Sequence, residues 1–346
     1  MTFGLLELLR ECNAFDATPK FNDVGVYHVP FDSMVASARV EGRLRDGVLR
    51  GERIALVADS GCGKTSVVSY VLGPTAESVA PILVPVHSLE TDATKAELIA
   101  DAILSQLLRQ AGVAGHSAPD TKNSVGQQRK VTNVSRRATS LGFGVGGLGL
   151  SVGVDTARQI EQQISTTEMI TLDDKLDVIR LCLDSIRADS LMPVFVFDDT
   201  DRWTAGTEKT IVKGFFGTAI RWLAEMDASV VVATHTRYLE TNVGGPELLT
   251  FLDTRVELPR VPSVGHLGSI LERRIQVHLD EENGGEHSAQ LNDVVESSAI
   301  EELFQHYERG SSLRRVMQLA HIALAETVDA GAETITDREI HAAVQA

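Results

Sequence analysis

The chain has 346 residues, 43% of them hydrophobic, enough to bury a core in one large or two modest domains and too many for a disordered protein. Its 32 basic side chains against 48 acidic ones leave a formal charge of −16, which excludes adhesion of the whole surface to nucleic acid or anionic membrane and confines any such contact to a local patch. Three scattered cysteines, Cys12, Cys62 and Cys182, exclude a disulfide framework or a metal knuckle and suit a reducing compartment.

The opening MTFGLLELLRECNAF carries acids inside its apolar run and has no basic leader, so it does not resemble a secretory signal. No run approaches the ~20 apolar residues of a membrane helix, and the expectation is a cytoplasmic protein without a membrane span. Residues 1–50 are expected to form an N-terminal arm. Residues 53–65, RIALVADSGCGKT, then read as a short strand, a turn of small residues and the start of a helix. The form is A-x-x-x-x-G-K-T, with Ala58 where the strict phosphate-loop pattern has glycine. Amides of Ser60, Gly61, Cys62, Gly63, Lys64, Thr65 and Ser66 can converge on phosphates at a helix N-terminus, where unpaired N–H groups and the helix dipole favour an anion. In such a loop Lys64 reaches the β- and γ-phosphates and Thr65 places its hydroxyl on Mg²⁺.

PILVPVH (81–87) is a second apolar run, followed by the helical pattern KAELIADAILSQLLRQ. A long insertion at about residues 111–175 comes next. From Thr121 to Thr139 it holds Lys122, Arg129, Lys130, Arg136 and Arg137 and no acid. SLGFGVGGLGLSVGV (140–154) follows. Gly146-Gly147 suits a type I′ turn, and folding about that pair sets Val145 against Leu148, Phe143 against Leu150, Gly144 against Gly149 and Gly142 against Ser151. The expected hairpin has one apolar face and one nearly bare face. It is open to packing on the protein's own helices, to contact with a second subunit or partner above a basic base, or to membrane insertion. Arms of about seven residues, ~23 Å, are short for a spanning strand.

MPVFVFDDTDRW (192–203) reads as a strand buried on both faces that ends in paired aspartates. Asp198 suits a water-mediated Mg²⁺ contact and Asp199 the orientation or deprotonation of an attacking water; a solvated acidic turn is the plainer alternative. ASVVVATH (228–235) completes the alternation of strands and helices. A doubly wound parallel sheet binds ligands at its carboxyl strand ends, which puts Thr234 and His235 near a γ-phosphate; His235 is equally open to being an ordinary polar residue leaving a strand. LDTRVELPRVPSVGHLGSILERRI (252–275) leads from a last strand into helices. In ERGSSLRRVMQLAHIALAETV (308–328), Leu313, Val316, Met317, Ala320 and Leu324 form an apolar stripe behind a cap at Ser311 or Ser312. Thr336 and Glu339 suit a capping box for a final helix.

These parts in this order resemble the AAA+ ATPases, above all the initiator-like branch of origin-recognition and transposon target-selection ATPases, over roughly residues 20–110 and 175–346. DDTDR also resembles KAP- and STAND-type P-loop ATPases. The resemblance implies an α/β fold, a P-loop NTPase αβα sandwich with a parallel five-stranded sheet, plus a C-terminal helical lid and the inserted glycine-rich β-hairpin. It divides the chain into arm (1–50), core (51–258) and lid (259–346). It implies ATP and Mg²⁺ as cofactors, ATP hydrolysis and a homo-oligomer. Arg255 then falls at the arginine finger, with Arg260 the competing candidate, and Arg314 or Arg315 at the second sensor. Residues 23–31 fall where the family packs around adenine. The family's second Walker B acid is usually glutamate; Asp199 has a shorter reach, which bears on the speed of hydrolysis. DNA is an implied partner, through Arg129, Lys130, Arg136 and Arg137, and a protein partner through the hairpin 140–154. The other function implied is a nucleotide-switched scaffold of STAND or KAP type with weak hydrolysis and no DNA contact.

Overall fold

The computed structural model describes residues 2–19, 21–73, 77–110, 142–145, 148–151, 171–200, 203, 208–283 and 289–345. The main helices in chain order are α1 (Thr2–Glu11), α2 (Val40–Leu49), α3 (Lys64–Leu72), α4 (Ala96–Gln110), α5 (Leu172–Ala188), α6 (Val264–Asn283), α7 (Ser297–Glu308), α8 (Leu313–Asp329) and α9 (Asp337–Gln345). The strands are β1 (Arg53–Val57), β2 (Val79–Leu83), β3 (Gly142–Val145), β4 (Leu148–Ser151), β5 (Met192–Phe197), β6 (Ser229–Thr234) and β7 (Thr254–Glu257). They divide between two compact units, one of Met1–Glu41, Asp59–Val71 and Leu258–Ala346, the other of Gly42–Ala58 and Leu72–Glu257.

The second unit is built on a five-stranded sheet in the order β2-β5-β6-β1-β7, every pair parallel. Continuous apolar runs suit this position. Val194, Phe195, Val196 and Phe197 of β5 and Val230, Val231 and Val232 of β6 are all buried, on both faces of the pleat. On one face, Phe195, Phe197, Val230 and Val232 meet Ile99, Ile103 and Leu107 of α4 and Ile179, Leu183 and Ile186 of α5. Both helices present these residues at three- and four-residue spacing, which places them on one stripe. Cys182 lies in the same cluster, where burial pushes its thiol up to about 12 and leaves it unreactive.

The edge strand β2 starts two residues before the run 81–87 and stops at Leu83. Pro81 is tolerated because an edge strand can lack one donor, whereas Pro85 opens the 3₁₀ turn Val86–Thr94. The inserted hairpin has the register expected from its glycines: Gly142 pairs with Ser151, Phe143 with Leu150, Gly144 with Gly149 and Val145 with Leu148. Its turn, Gly146-Gly147, and the basic residues Lys122, Arg129, Lys130, Arg136 and Arg137 lie outside the described residues.

The first unit is helical. α1 packs on α8, and Arg10 of α1 pairs with Asp329 at 2.8 Å. Ser312 caps α8 by accepting the Arg315 amide at 3.2 Å, and the buried stripe of that helix includes Val316, Met317, Ala320 and Leu324. Before α9, the Glu339 carboxylate accepts from the Thr336 amide (3.0 Å) and hydroxyl (2.5 Å). The Thr336 hydroxyl in turn takes the Arg338 amide at 3.2 Å, so the box closes on the second helical amide.

Candidate nucleotide site

The loop after β1 turns on two glycines in the left-handed region, Gly61 at φ 71° and Gly63 at φ 98°, and delivers the chain into α3 at Lys64. Left-handed backbone next to a helix start aims successive N–H groups into one concavity, the arrangement that binds phosphate. Lys64 is 6% exposed, and its ammonium donates to the Asp59 carbonyl at 2.9 Å. A buried cation held by its own loop is costly and is poised for an anion. ATP fits these residues through the loop amides, Lys64 and the hydroxyl of Thr65 in the first turn of α3. Cys62, between the two glycines, is half-buried.

Within the same unit, α8 meets this loop. The Arg314 amide donates to the Gly61 carbonyl at 3.1 Å. A Cβ added to Gly61 would lie 2.9 Å from both Arg314 Cβ and Ser312 Oγ. That contact separates the two sensor candidates: Arg314 stands against the loop, whereas Arg315 is exposed. Gly61→Ala therefore combines a left-handed residue with a backbone-level clash. It is expected to cost roughly 2 kcal/mol or more of stability in urea unfolding, and to weaken nucleotide binding in isothermal titration.

In the other unit, β5 ends at Asp198 and Asp199, and Asp199 is one of the few non-glycine residues with a left-handed backbone (φ 57°). Aspartate tolerates that region better than most side chains, and the turn takes the chain off the sheet. Thr200 is fully buried, and its hydroxyl donates to the Ala233 carbonyl while its own carbonyl accepts from Tyr238 Oη at 2.5 Å. Those bonds tie the aspartate turn to the end of β6. Thr234 is also fully buried. Its hydroxyl donates back to Val232 at 3.1 Å and its carbonyl accepts from Ala58 at the end of β1. His235 Nδ1 accepts the Arg237 amide at 3.0 Å, so in the neutral ring the proton lies on Nε2. Thr234 and His235 thus stand at the carboxyl end of their strand, beside the end of β1.

Arg255 lies on edge strand β7, 45% exposed, with Glu257 at 2.7 Å. The strand is secured from β1: Arg53 holds the Asp253 carboxylate at 2.6 and 2.9 Å, and the Thr254 hydroxyl donates to Glu52 at 2.6 Å. The Arg53 guanidinium keeps the Asp253 carboxyl below its ordinary range. Arg260 is differently employed. Its guanidinium donates to the Tyr307 carbonyl and lies 4.5 Å from the Tyr307 ring, bracing α7. Both arginines are exposed, and they differ in partner: Arg255 pairs with Glu257 of its own strand, Arg260 with Tyr307 of α7.

The arm contributes residues that no motif announced. His28 and Glu41, both buried, join a hydrogen-bonded group that reaches Ser66 of α3. Nearby, a cavity of about 490 Å³ shares Asp23, Val26 and Tyr27 with the segment expected around adenine and is closed by Arg274 and His278 of α6.

No known sequence family matches this chain, and no curated protein is similar to it in sequence. Solved structures are similar in fold. The Aeropyrum pernix ORC1 protein in complex with DNA aligns over 96% of this chain and 68% of its own, at 16% identity and a TM-score of 0.51. The chain shares the αβα fold of that ORC1 protein. Two further structures align less well: the Aeropyrum pernix ORC2 protein in its ADPNP–ADP complexes (15% identity, 92% of this chain and 71% of that one, TM-score 0.49) and Cdc6p from Pyrobaculum aerophilum (11%, 93% and 70%, TM-score 0.47). The five-stranded parallel sheet and flanking helices are the fold expected from the sequence.

Among the described residues, no group of three or more His, Cys, Asp or Glu is arranged to hold a metal. No helix among the described residues is long and apolar enough to cross a membrane.

Proposed function

We propose that the protein is a Mg²⁺-dependent AAA+ ATPase that assembles head to tail, holds ATP at subunit interfaces, and uses it to control assembly on a partner, with duplex DNA the partner to test first. The observation that carries this reading is the phosphate loop, with left-handed Gly61 and Gly63, buried Lys64, and the start of α8 hydrogen-bonded to Gly61. ATP would supply the phosphoryl group, and Mg²⁺ would supply positive charge against the phosphates. Lys64 and the amides of residues 60–66 bind and orient the β- and γ-phosphates. Thr65 and Asp198 are the protein's metal contacts. Asp199 orients the attacking water, whose oxygen bonds to the γ-phosphorus as the bond to ADP breaks. Thr234 and His235 would act on the γ-phosphate. Arg314 draws the lid onto the nucleotide, and a neighbour's Arg255 spreads the transition-state charge. The engagement of Arg260 with Tyr307 of its own subunit favours Arg255 for that role.

DNA is suggested by the ORC1 structure, which contains it, and by the basic cluster in an otherwise acidic chain. The test is turnover with and without duplex DNA at two salt concentrations. DNA is expected to stimulate hydrolysis, and joint replacement of Arg129, Lys130, Arg136 and Arg137 by alanine to remove the response. If each contacts one phosphate, the log–log salt slope of DNA binding should flatten by roughly 3.6. Hydrolysis that ignores DNA at every salt concentration, and varies only with protein concentration, would replace this reading by a nucleotide-switched scaffold.

A further inference from the structure

The arm segment that precedes the phosphate loop is bound along one face of α3. Ser66, Ser69 and Tyr70, at i, i+3 and i+4, form that face. The Ser69 hydroxyl donates to the Phe21 carbonyl at 2.5 Å, and the His28 ring packs on Tyr70 with centroids 4.8 Å apart. His28 Nδ1 is 3.0 Å from Ser66 Oγ, although the two residues are 38 positions apart in the chain. On its other side, His28 Nε2 is 2.8 Å from Glu41 Oε1. The side chains of His28 and Glu41 are only 3% and 5% exposed.

Glu41 is itself held by the Phe31 amide at 2.8 Å and the Asp32 amide at 3.0 Å. Burial opposes its charge, but the His28 bond and the two amides outweigh burial and bring the carboxyl down to about 2. It is therefore a carboxylate and accepts only. His28 must donate from Nε2, and in the neutral ring Nδ1 is left to accept the Ser66 proton. A buried chain with every member partnered specifies geometry more than it adds stability.

We propose that His28, backed by Glu41, is a positioning residue for the phosphate loop: it fixes the Ser66 hydroxyl and with it the first turn of α3, which carries Lys64 and Thr65. The role rests on the nucleotide-binding reading above, but its geometry does not. His28→Gln places an amide where Nε2 was, keeps a donor for Glu41 and loses Ser66. His28→Asn places an amide where Nδ1 was, keeps an acceptor for Ser66 and loses Glu41.

The test measures ADP affinity by titration calorimetry and hydrogen exchange at amides 64–67 in the full chain. His28→Gln and Ser66→Ala are each expected to weaken ADP roughly tenfold, with the double variant no worse than either, since one hydrogen bond is lost in all three. His28→Asn is expected to bind within about threefold of the parent, although the arm loses the Glu41 bond. Equal loss in the Gln and Asn variants, or additive loss in the double, would overturn the proposal and leave His28 a prop of the arm. If the parent chain binds no adenine nucleotide, the ATPase reading fails; exchange then decides the proposal. Faster exchange at 64–67 in His28→Gln than in His28→Asn sustains it, and equal exchange overturns it.

Discussion

Lys64→Ala is expected to lower ATP and ADP affinity by roughly 30- to 1,000-fold while leaving the empty protein as stable as its parent or slightly more so. The first effect follows from removing a buried cation opposite phosphate, a loss of about 2–4 kcal/mol when one partner of a desolvated charged pair is truncated. The second follows from the empty loop. Lys64 is 6% exposed and donates to the Asp59 carbonyl, which recovers only part of the desolvation of an ammonium. Thermal unfolding with and without nucleotide separates the two. In the parent, ligand at about 100 times its dissociation constant adds about 2.7 kcal/mol and raises the melting temperature. In the variant the same concentration should add about 0.9 kcal/mol at most, and almost nothing at the upper end of the range. An unchanged shift would show that the loop does not bind phosphate through Lys64.

Arg255→Ala is expected to leave nucleotide affinity within about threefold and to reduce turnover by roughly 10³-fold, the lower range for loss of an arginine finger. Little else should change in the subunit, because the guanidinium is 45% exposed and its visible partner, Glu257, is more exposed still. Such a surface pair contributes about 1 kcal/mol or less to stability. The decisive measurement is complementation. Asp199→Asn subunits have an intact Arg255 and a disabled water-orienting group, so mixing them with Arg255→Ala subunits creates composite sites with both groups present. Activity should reappear on mixing and follow the concentration of mixed assemblies. Arg260→Ala, by contrast, is expected to lower stability through lost contact with Tyr307 and to leave turnover per folded molecule unchanged. The opposite pattern would transfer the finger role to Arg260.

Local chemistry made much of the fold legible in advance. The runs RIALV, MPVFVF and SVVVAT could be assigned because a strand covered on both faces has no polar side to interrupt its hydrophobicity. The hairpin register followed from the symmetry of its sequence about Gly146-Gly147, since a two-residue turn leaves a single pairing for the flanking strands. The end of β2 was harder to place. PILVPVH is apolar beyond Leu83, but after the Val84 amide reaches Val196 the chain turns at Pro85 into a 3₁₀ helix.

The site divides along the same line. Lys64, Thr65, Asp198 and Asp199 stood out as candidates because phosphate and metal chemistry demand those side chains at fixed short spacings, which a linear sequence preserves. The contact of His28 with Glu41 and Ser66 carried no such signal: Ser66 stood out only for its amide and His28 only as part of 23–31, and the bonds join positions 13 and 38 residues apart. The different surroundings of Arg314 and Arg315, and of Arg255 and Arg260, were equally out of reach, because adjacent or nearby arginines are equivalent until packing gives each its own partners. Periodicity and motif spacing are properties of neighbours along the chain, and they were sufficient for the sheet, the hairpin and the phosphate loop. Which polar groups meet across distant segments depends on closure of the backbone in three dimensions, and it was there that α8 came to rest on Gly61 and the arm on Ser66.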